Sequence, residues 1–174
     1  MNITKPKFED VPNYFIYYLN LFESDDLLLS LENNKVDMVN FFSNLPEGYH
    51  NYSYAQDKWS VIMVFQHIID CERLYTHRAF RFSRFDTTIL SDFNVNAVLN
   101  NIESQRLKMN VLIQEFISVR NATIQLFKTM DSQMLDFKGK ASNMLFSARG
   151  LGFMCVGHSL HHMNFVKDNY LDFH

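Results

Sequence analysis

The run Gly157-His-Ser-Leu-His-His162 carries two histidines four positions apart, His158 and His162. On an α-helix that step leaves two side chains about 40° apart around the axis and about 6 Å apart along it, so both imidazoles can reach one ion. Helical phase gives the pair a direction. Leu151, Cys155, His158, His162 and Phe165 fall on one stripe, whereas His161 falls with Gly150, Met154, Gly157, Asn164 and Asp168 on a more polar flank. Two imidazoles turned toward a core must find partners. A metal ion is one solution and hydrogen bonding within the core is another; spacing alone does not separate them. A metal site needs a third ligand, to be drawn from His50, His67, His77, His161, His174 and the carboxylates.

His67 lies in Trp59-Ser-Val-Ile-Met-Val-Phe-Gln-His67-Ile-Ile-Asp70-Cys-Glu72-Arg73. The helical wheel puts it at the edge of that segment's apolar arc, so periodicity does not select it. Asp70, one turn later, has the chemistry to orient a ligand imidazole or to act as a catalytic base, and equally that of a solvated surface carboxylate. Glu72 falls near the centre of the apolar arc, where an unpaired carboxylate is costly, so a cation such as Arg149 or Arg73 is expected beside it. Cys71 and Cys155 flank the histidines in phase, but buried cysteines are usually packing residues. Trp59 reads as a core anchor at a helix start. His50, His77 and His174 lack supporting context and read as surface residues.

The elements that must position these groups are helical. Pro12 can begin a short helix through Tyr14–Phe22, and Ser24-Asp25-Asp26 forms the cap and acidic first turn of a longer one. That helix carries Leu28, Leu31, Met38, Phe42 and Leu45 at three- and four-residue steps, and Pro46-Glu47-Gly48 stops it. Ser60 can cap a second long helix reaching about Arg84. Phe85–Asn101 is a connector long enough to shape a site. The spacing predicts a third helix over Ile102–Met130, then a loop at Lys138-Gly139-Lys140 and Ser142-Asn143. Ser147 caps a last helix running to about Tyr170. The expectation is an all-α chain, residues 1–174 forming one domain, built as an antiparallel four-helix bundle with a short N-terminal helix.

With these segments in place, the chain resembles the DinB/YfiT-like superfamily of metalloenzymes, in its DinB-type branch, over nearly its whole length. The resemblance rests on Tyr14 to Leu19, Lys58-Trp59-Ser60, the His67 to Arg73 helix, Arg78-Ala-Phe-Arg-Phe-Ser-Arg84, Val119-Arg120-Asn-Ala-Thr123, Gly157 to His162 and Tyr170-Leu171. It implies a metal site between helices, with His67 joining His158 and His162 as ligands. Some members of the family are thiol S-transferases that use bacillithiol or mycothiol. This chain departs from the family pattern where Gln56-Asp57 replaces a common Pro-Gly and Ser159 replaces a common Glu, which leaves substrate choice open.

Three neutral imidazoles leave coordination positions free, as catalytic rather than structural sites do. The resulting expectation is a metal-dependent enzyme, a low-molecular-weight thiol S-transferase or a hydrolase, holding a divalent ion of which Zn and Ni are the leading choices. The alternative is a non-catalytic, stress-related ligand binder or interaction protein with a structural or vestigial site. Composition narrows the partners. Hydrophobic residues make up 47%, charged residues 20%, and the formal net charge is −3. With no basic stripe, nucleic acid and anionic membrane are not expected, and no run of apolar residues is long enough for a span. Two cysteines and no leader-like N-terminus suggest a cytoplasmic protein acting on a small molecule. An aromatic-rich bundle is also compatible with a homodimer.

Overall fold

The computed structural model describes residues 2–99 and 101–171; the expectation for His174 lies outside the described residues. A 3-10 turn at Phe8–Asp10 leads into helix α1 (Asn13–Leu19), followed by α2 (Leu27–Ser43), the single turn α3 (Glu47–His50) and α4 (Val61–Ser83). Short helix α5 (Val95–Leu99) and a 3-10 turn at Ser104–Arg106 precede α6 (Met109–Lys128). Then come α7 (Ser132–Asp136), strands β1 (Lys138–Ala141) and β2 (Met144–Ser147), and α8 (Ala148–Tyr170).

Local chemistry accounts for the boundaries. The Asp26 carboxylate accepts from the backbone N–H groups of Leu28 and Leu29 at the start of α2, and Ser147 Oγ accepts from Gly150 at the start of α8. Ser60 holds the cap position of α4 without a side-chain cap bond. Pro12 sits at the cap of α1 rather than in its first turn.

Helix α4 packs on α8 and α6, and α2 packs on α6 and α8. The two apolar clusters of the core give the helix directions. One joins the start of α2 and of α8 (Leu27, Leu31, Leu151, Phe153) to the ends of α4 and α6 (Ala79, Phe82, Ile124, Phe127). The other joins the end of α2 and of α8 (Met38, Phe42, Met163, Val166) to the starts of α4 and α6 (Val61, Phe65, Met109, Phe116). Helices α4 and α8 therefore run antiparallel, as do α2 and α6, while α4 and α6 run parallel. A parallel pair needs a return along the length of the bundle, which is why the connection from Ser83 to Met109 is long.

Between the clusters lies a polar layer. Arg120 on α6 is fully buried and donates to both carboxylate oxygens of Glu72 on α4, at 2.8 Å each. It also donates to the Leu31 carbonyl and to Asn34 Oδ1 on α2, and reaches the Cys155 carbonyl on α8. Thr123 donates to the same Glu72, and Ser159 to Asn34. Burial of Glu72 follows from its place on the helix, but its partner is Arg120 and not Arg149 or Arg73. Arg149 pairs with Asp136, and Arg73 with Asp70 and Glu115.

Three local expectations change. The third long helix begins at Met109, seven residues after Ile102: Ser104–Arg106 forms a 3-10 turn and Lys108 is extended. The apolar steps continue upstream, but Asn101 and Ser104 favour turns over helix. Part of the connector is helical, as α5. The loop around Ser142-Asn143 is the tip of an antiparallel hairpin, with Ala141 opposite Met144. Ser142 and Asn143 have φ of 49° and 62°, the left-handed pair that a two-residue type I′ turn requires.

Candidate metal centre

The α4–α8 interface brings His67, His158 and His162 together. Ring centroids lie 5.1 Å apart for His67 and His158, 4.8 Å for His67 and His162, and 4.5 Å for His158 and His162. The Nε2 atoms of His158 and His162 face each other at 3.1 Å, which is how two imidazoles on one helical stripe meet when both turn inward. His67, at the edge of the apolar arc, is only 6% exposed because that edge faces α8 and the Trp59 ring, 5.1 Å away.

Cys71 joins the group. Its Sγ lies 3.5 Å from His67 Nε2. One ligand atom each from His67, Cys71 and His158 fit within 4.8 Å of one another. Sequence reasoning assigned this cysteine to packing; the available signal was its four-residue step from His67.

Burial controls the protonation of the cluster. Desolvation lowers the pKa of His67 from 6.5 to about 4. Burial, then the neighbouring His67 and His161, takes His162 to about 3. His158 is held well below the ordinary value, mainly by burial and then by the other histidines. All three are neutral near pH 7, so each keeps a nitrogen lone pair. Burial, with the Asp70 charge adding to it, pushes the Cys71 thiol up to about 12. Three neutral imidazoles converging from two helices, with a thiol beside them, fit a divalent cation of borderline softness.

The other expected residues are placed as follows. Asp70 accepts from Gln66 Nε2 at 3.0 Å and from Arg73 at 3.2 Å, and makes no hydrogen bond to the three histidines. His161 lies on the rim, with Nδ1 3.1 Å from the Tyr17 hydroxyl. His50 contacts the Leu45 carbonyl and His77 is exposed. Cys155 is buried, with Sγ donating to the Leu151 carbonyl. Met154 lines the cleft above the histidines, and Phe65 is stacked on Phe42 inside the core, outside the cleft.

The histidines and Cys71 form the floor of an open cleft of about 640 Å³. Its walls come from α1 (Tyr14, Tyr18), α4 (Tyr75, Arg78), the connector near Asp92 and the hairpin tip at Ser142. A smaller cavity of about 270 Å³ on the other side of Trp59 and His162 is lined by Tyr54, Phe165 and Tyr170. Gly157 explains how α1 forms a wall: a Cβ there would lie 2.5 Å from the backbone oxygen of Tyr18, so only glycine lets α1 lie directly on α8 beside His158.

The sequence profile of the DinB superfamily matches residues 30–166. The chain belongs to the DinB superfamily. Among solved structures it is similar to YfiT from Bacillus subtilis, described as a probable metal-dependent hydrolase with an unusual four-helix bundle topology. The similarity covers 94% of this chain and 90% of that one, with a TM-score of 0.72 and 13% sequence identity. At that identity it establishes the fold. A search of curated proteins finds no match. Among the described residues of this DinB-superfamily chain, no helix is long and apolar enough to cross a membrane.

Proposed function

We propose that this protein is a metal-dependent enzyme acting on a small molecule, with His67, His158 and His162 holding a divalent ion, Zn or Ni, and Cys71 beside them. The observation that carries the reading is the convergence of three neutral imidazoles, 4.5–5.1 Å apart by ring centroid, on the floor of an open cleft. YfiT, described as a probable metal-dependent hydrolase, supports it through the shared fold. A bound ion supplies Lewis acidity, on which both hydrolysis and thiol transfer draw.

The chain's own residues do the rest. Trp59 packs at a tilt against His67 and Tyr75 packs edge-on against His158, which holds the rings in place. His161 opens onto the cleft, and burial lowers its pKa below 6.5, so at neutral pH it is a free base that can take a proton from a group in the cleft and release it to solvent at the rim, with its Nδ1 positioned by the Tyr17 hydroxyl. A base role for Asp70 would require it to leave Gln66 and Arg73, so we give the proton-transfer role to His161. Low-molecular-weight thiol transfer is the narrower form of the proposal, and the cleft has room for such a thiol with an electrophile. Free Cys71 and Cys155 suit a reducing, cytoplasmic setting. Self-association as a homodimer would involve exposed aromatics such as Phe80 and Phe85.

Elemental analysis of the purified chain tests the reading. About one equivalent of divalent metal is expected, lost in His158→Ala with the helical content unchanged. No stoichiometric metal, together with an unchanged content in His158→Ala, would sink it in favour of the non-catalytic alternative.

A further inference from the structure

Arg78 is 6% exposed, yet it lines the same cleft as the histidines. Its guanidinium has five N–H donors. One nitrogen, Nη2, donates to Ser142 Oγ at 3.1 Å, and the plane lies 5.7 Å from the Phe146 ring centroid. Among the described residues, the other guanidinium nitrogens have no protein hydrogen-bond partner and no carboxylate within ion-pair distance. Asp92 lies close enough for the guanidinium charge to help lower its carboxyl pKa, and Ser142 bridges the two, its hydroxyl donating to Asp92 Oδ1 at 2.7 Å. The other buried arginine among the described residues, Arg120, is satisfied differently, by a two-pronged pair with Glu72. A buried guanidinium left with spare donors facing open space is a group set to receive an acceptor.

His67, Cys71, Tyr75 and Arg78 follow one stripe of α4 at steps of four, four and three, all lining the cleft. Eleven residues of helix separate His67 from Arg78, about 16 Å along the axis. Between them the walls are aromatic, from Tyr14, Tyr18 and Tyr75. We infer that Arg78 is the carboxylate-binding residue of the cleft, and that the substrate is an elongated molecule with an apolar or aromatic body. Its carboxylate lies at Arg78 and its reacting bond at the histidines. One guanidinium, with Asp92 behind Ser142, matches a monoanion better than a dianionic phosphate. The inference deepens the metal-enzyme reading, on which the place of the reacting bond rests; the carboxylate site itself does not need the metal.

The test compares 4-phenylbutyrate with its neutral amide, 4-phenylbutyramide, by isothermal titration against the full-length protein, metal-loaded and chelated. The acid is expected to bind at least about ten-fold more tightly than the amide, in line with a charge-assisted pair. That preference should survive chelation, vanish in Arg78→Met and persist in Ser142→Ala, which removes the protein's tie to the guanidinium but leaves the charge. Melting temperature and metal content of Arg78→Met serve as the folding control; should that variant fail to fold, Arg78→Lys takes its place, with a weakened preference expected. Equal binding of acid and amide to the wild type overturns the inference. So does a preference that disappears on chelation, because the carboxylate then sits at the histidines, or one that persists without Arg78. A chain that holds no metal yet keeps the preference would refute the metal reading and leave this one standing.

Discussion

Replacing Arg120 with Met tests whether the polar layer holds the four long helices in register. From α6, Arg120 touches α2, α4 and α8, through Leu31, Asn34, Glu72 and Cys155. Methionine fills much of the volume but leaves the Glu72 carboxylate, 2% exposed, without its countercharge. Breaking one side of a buried ion pair costs about 3–5 kcal/mol, and a chain of this size loses about 2–4 °C in Tm for each kcal/mol. The expected drop is therefore about 6–20 °C, measured by circular dichroism on chelated protein so that metal binding does not mask it. Because the loss comes from an orphaned charge, adding Glu72→Leu should recover about 1 kcal/mol or more. Metal affinity should fall in Arg120→Met as well, since Glu72 adjoins Cys71 and Ser159 adjoins His158. An Arg120→Met protein within about 1 kcal/mol of wild type, or a double variant whose losses simply add, would refute the reasoning.

Acid should unfold the chelated protein early. His67 stays neutral in the fold down to about pH 4, but the unfolded chain takes up that proton below about 6.5, so stability present at neutral pH is lost as pH falls between those values. The loss from this residue is on the order of 3 kcal/mol, and unfolding curves at pH 7.5 and 4.5 read it; a flat profile would contradict the buried neutral imidazole. Gly157→Ala should cost about 1–3 kcal/mol by forcing α1 off α8, seen as a lower urea midpoint and weakened protection of Tyr18 from exchange. A midpoint at or above wild type would mean that α1 is not held there. Cys71→Ser should leave the metal content near wild type if three histidines suffice, whereas a large loss would make the thiol a fourth ligand.

How far the chain's residues announced this arrangement depends on which force acts locally. The cap at Ser147 was legible because a side-chain acceptor next to an apolar repeat has one obvious use, whereas Ser24-Asp25-Asp26 marked the start of α2 only to within a turn: the cap is Asp26 itself, and no acid lies in the first turn. The inward turn of His158 and His162 followed from phase on α8. His67 did not follow from phase, because its burial depends on which neighbour covers that edge of α4, and neighbour identity is a tertiary fact. The same holds for Glu72: its burial could be read from the wheel, but its partner lies 48 positions away on α6. The hairpin was hidden because two four-residue strands carry no clear alternation, and their evidence is a pair of positive φ values at Ser142-Asn143. The start of α6 was misplaced because apolar spacing continues through residues whose backbone prefers turns.

The rim of the cleft is assembled from stretches that carry none of the histidine floor: α1, the connector near Asp92 and the hairpin tip. Each is anchored by a few inward residues, α1 by Phe15 and Leu19 and the hairpin by Ala141 and Phe146, while Tyr14, Tyr18 and Ser142 line the cleft. Substitutions in these stretches can therefore accumulate without disturbing the floor, so that one reactive centre can be given many different mouths. For an engineer this divides the molecule in two. The buried faces of all these elements are to be left alone, and the cleft-lining positions of α1, the connector and the tip, such as Tyr14, Phe93, Asn94, Asn96 and Met144, are where a library should be built.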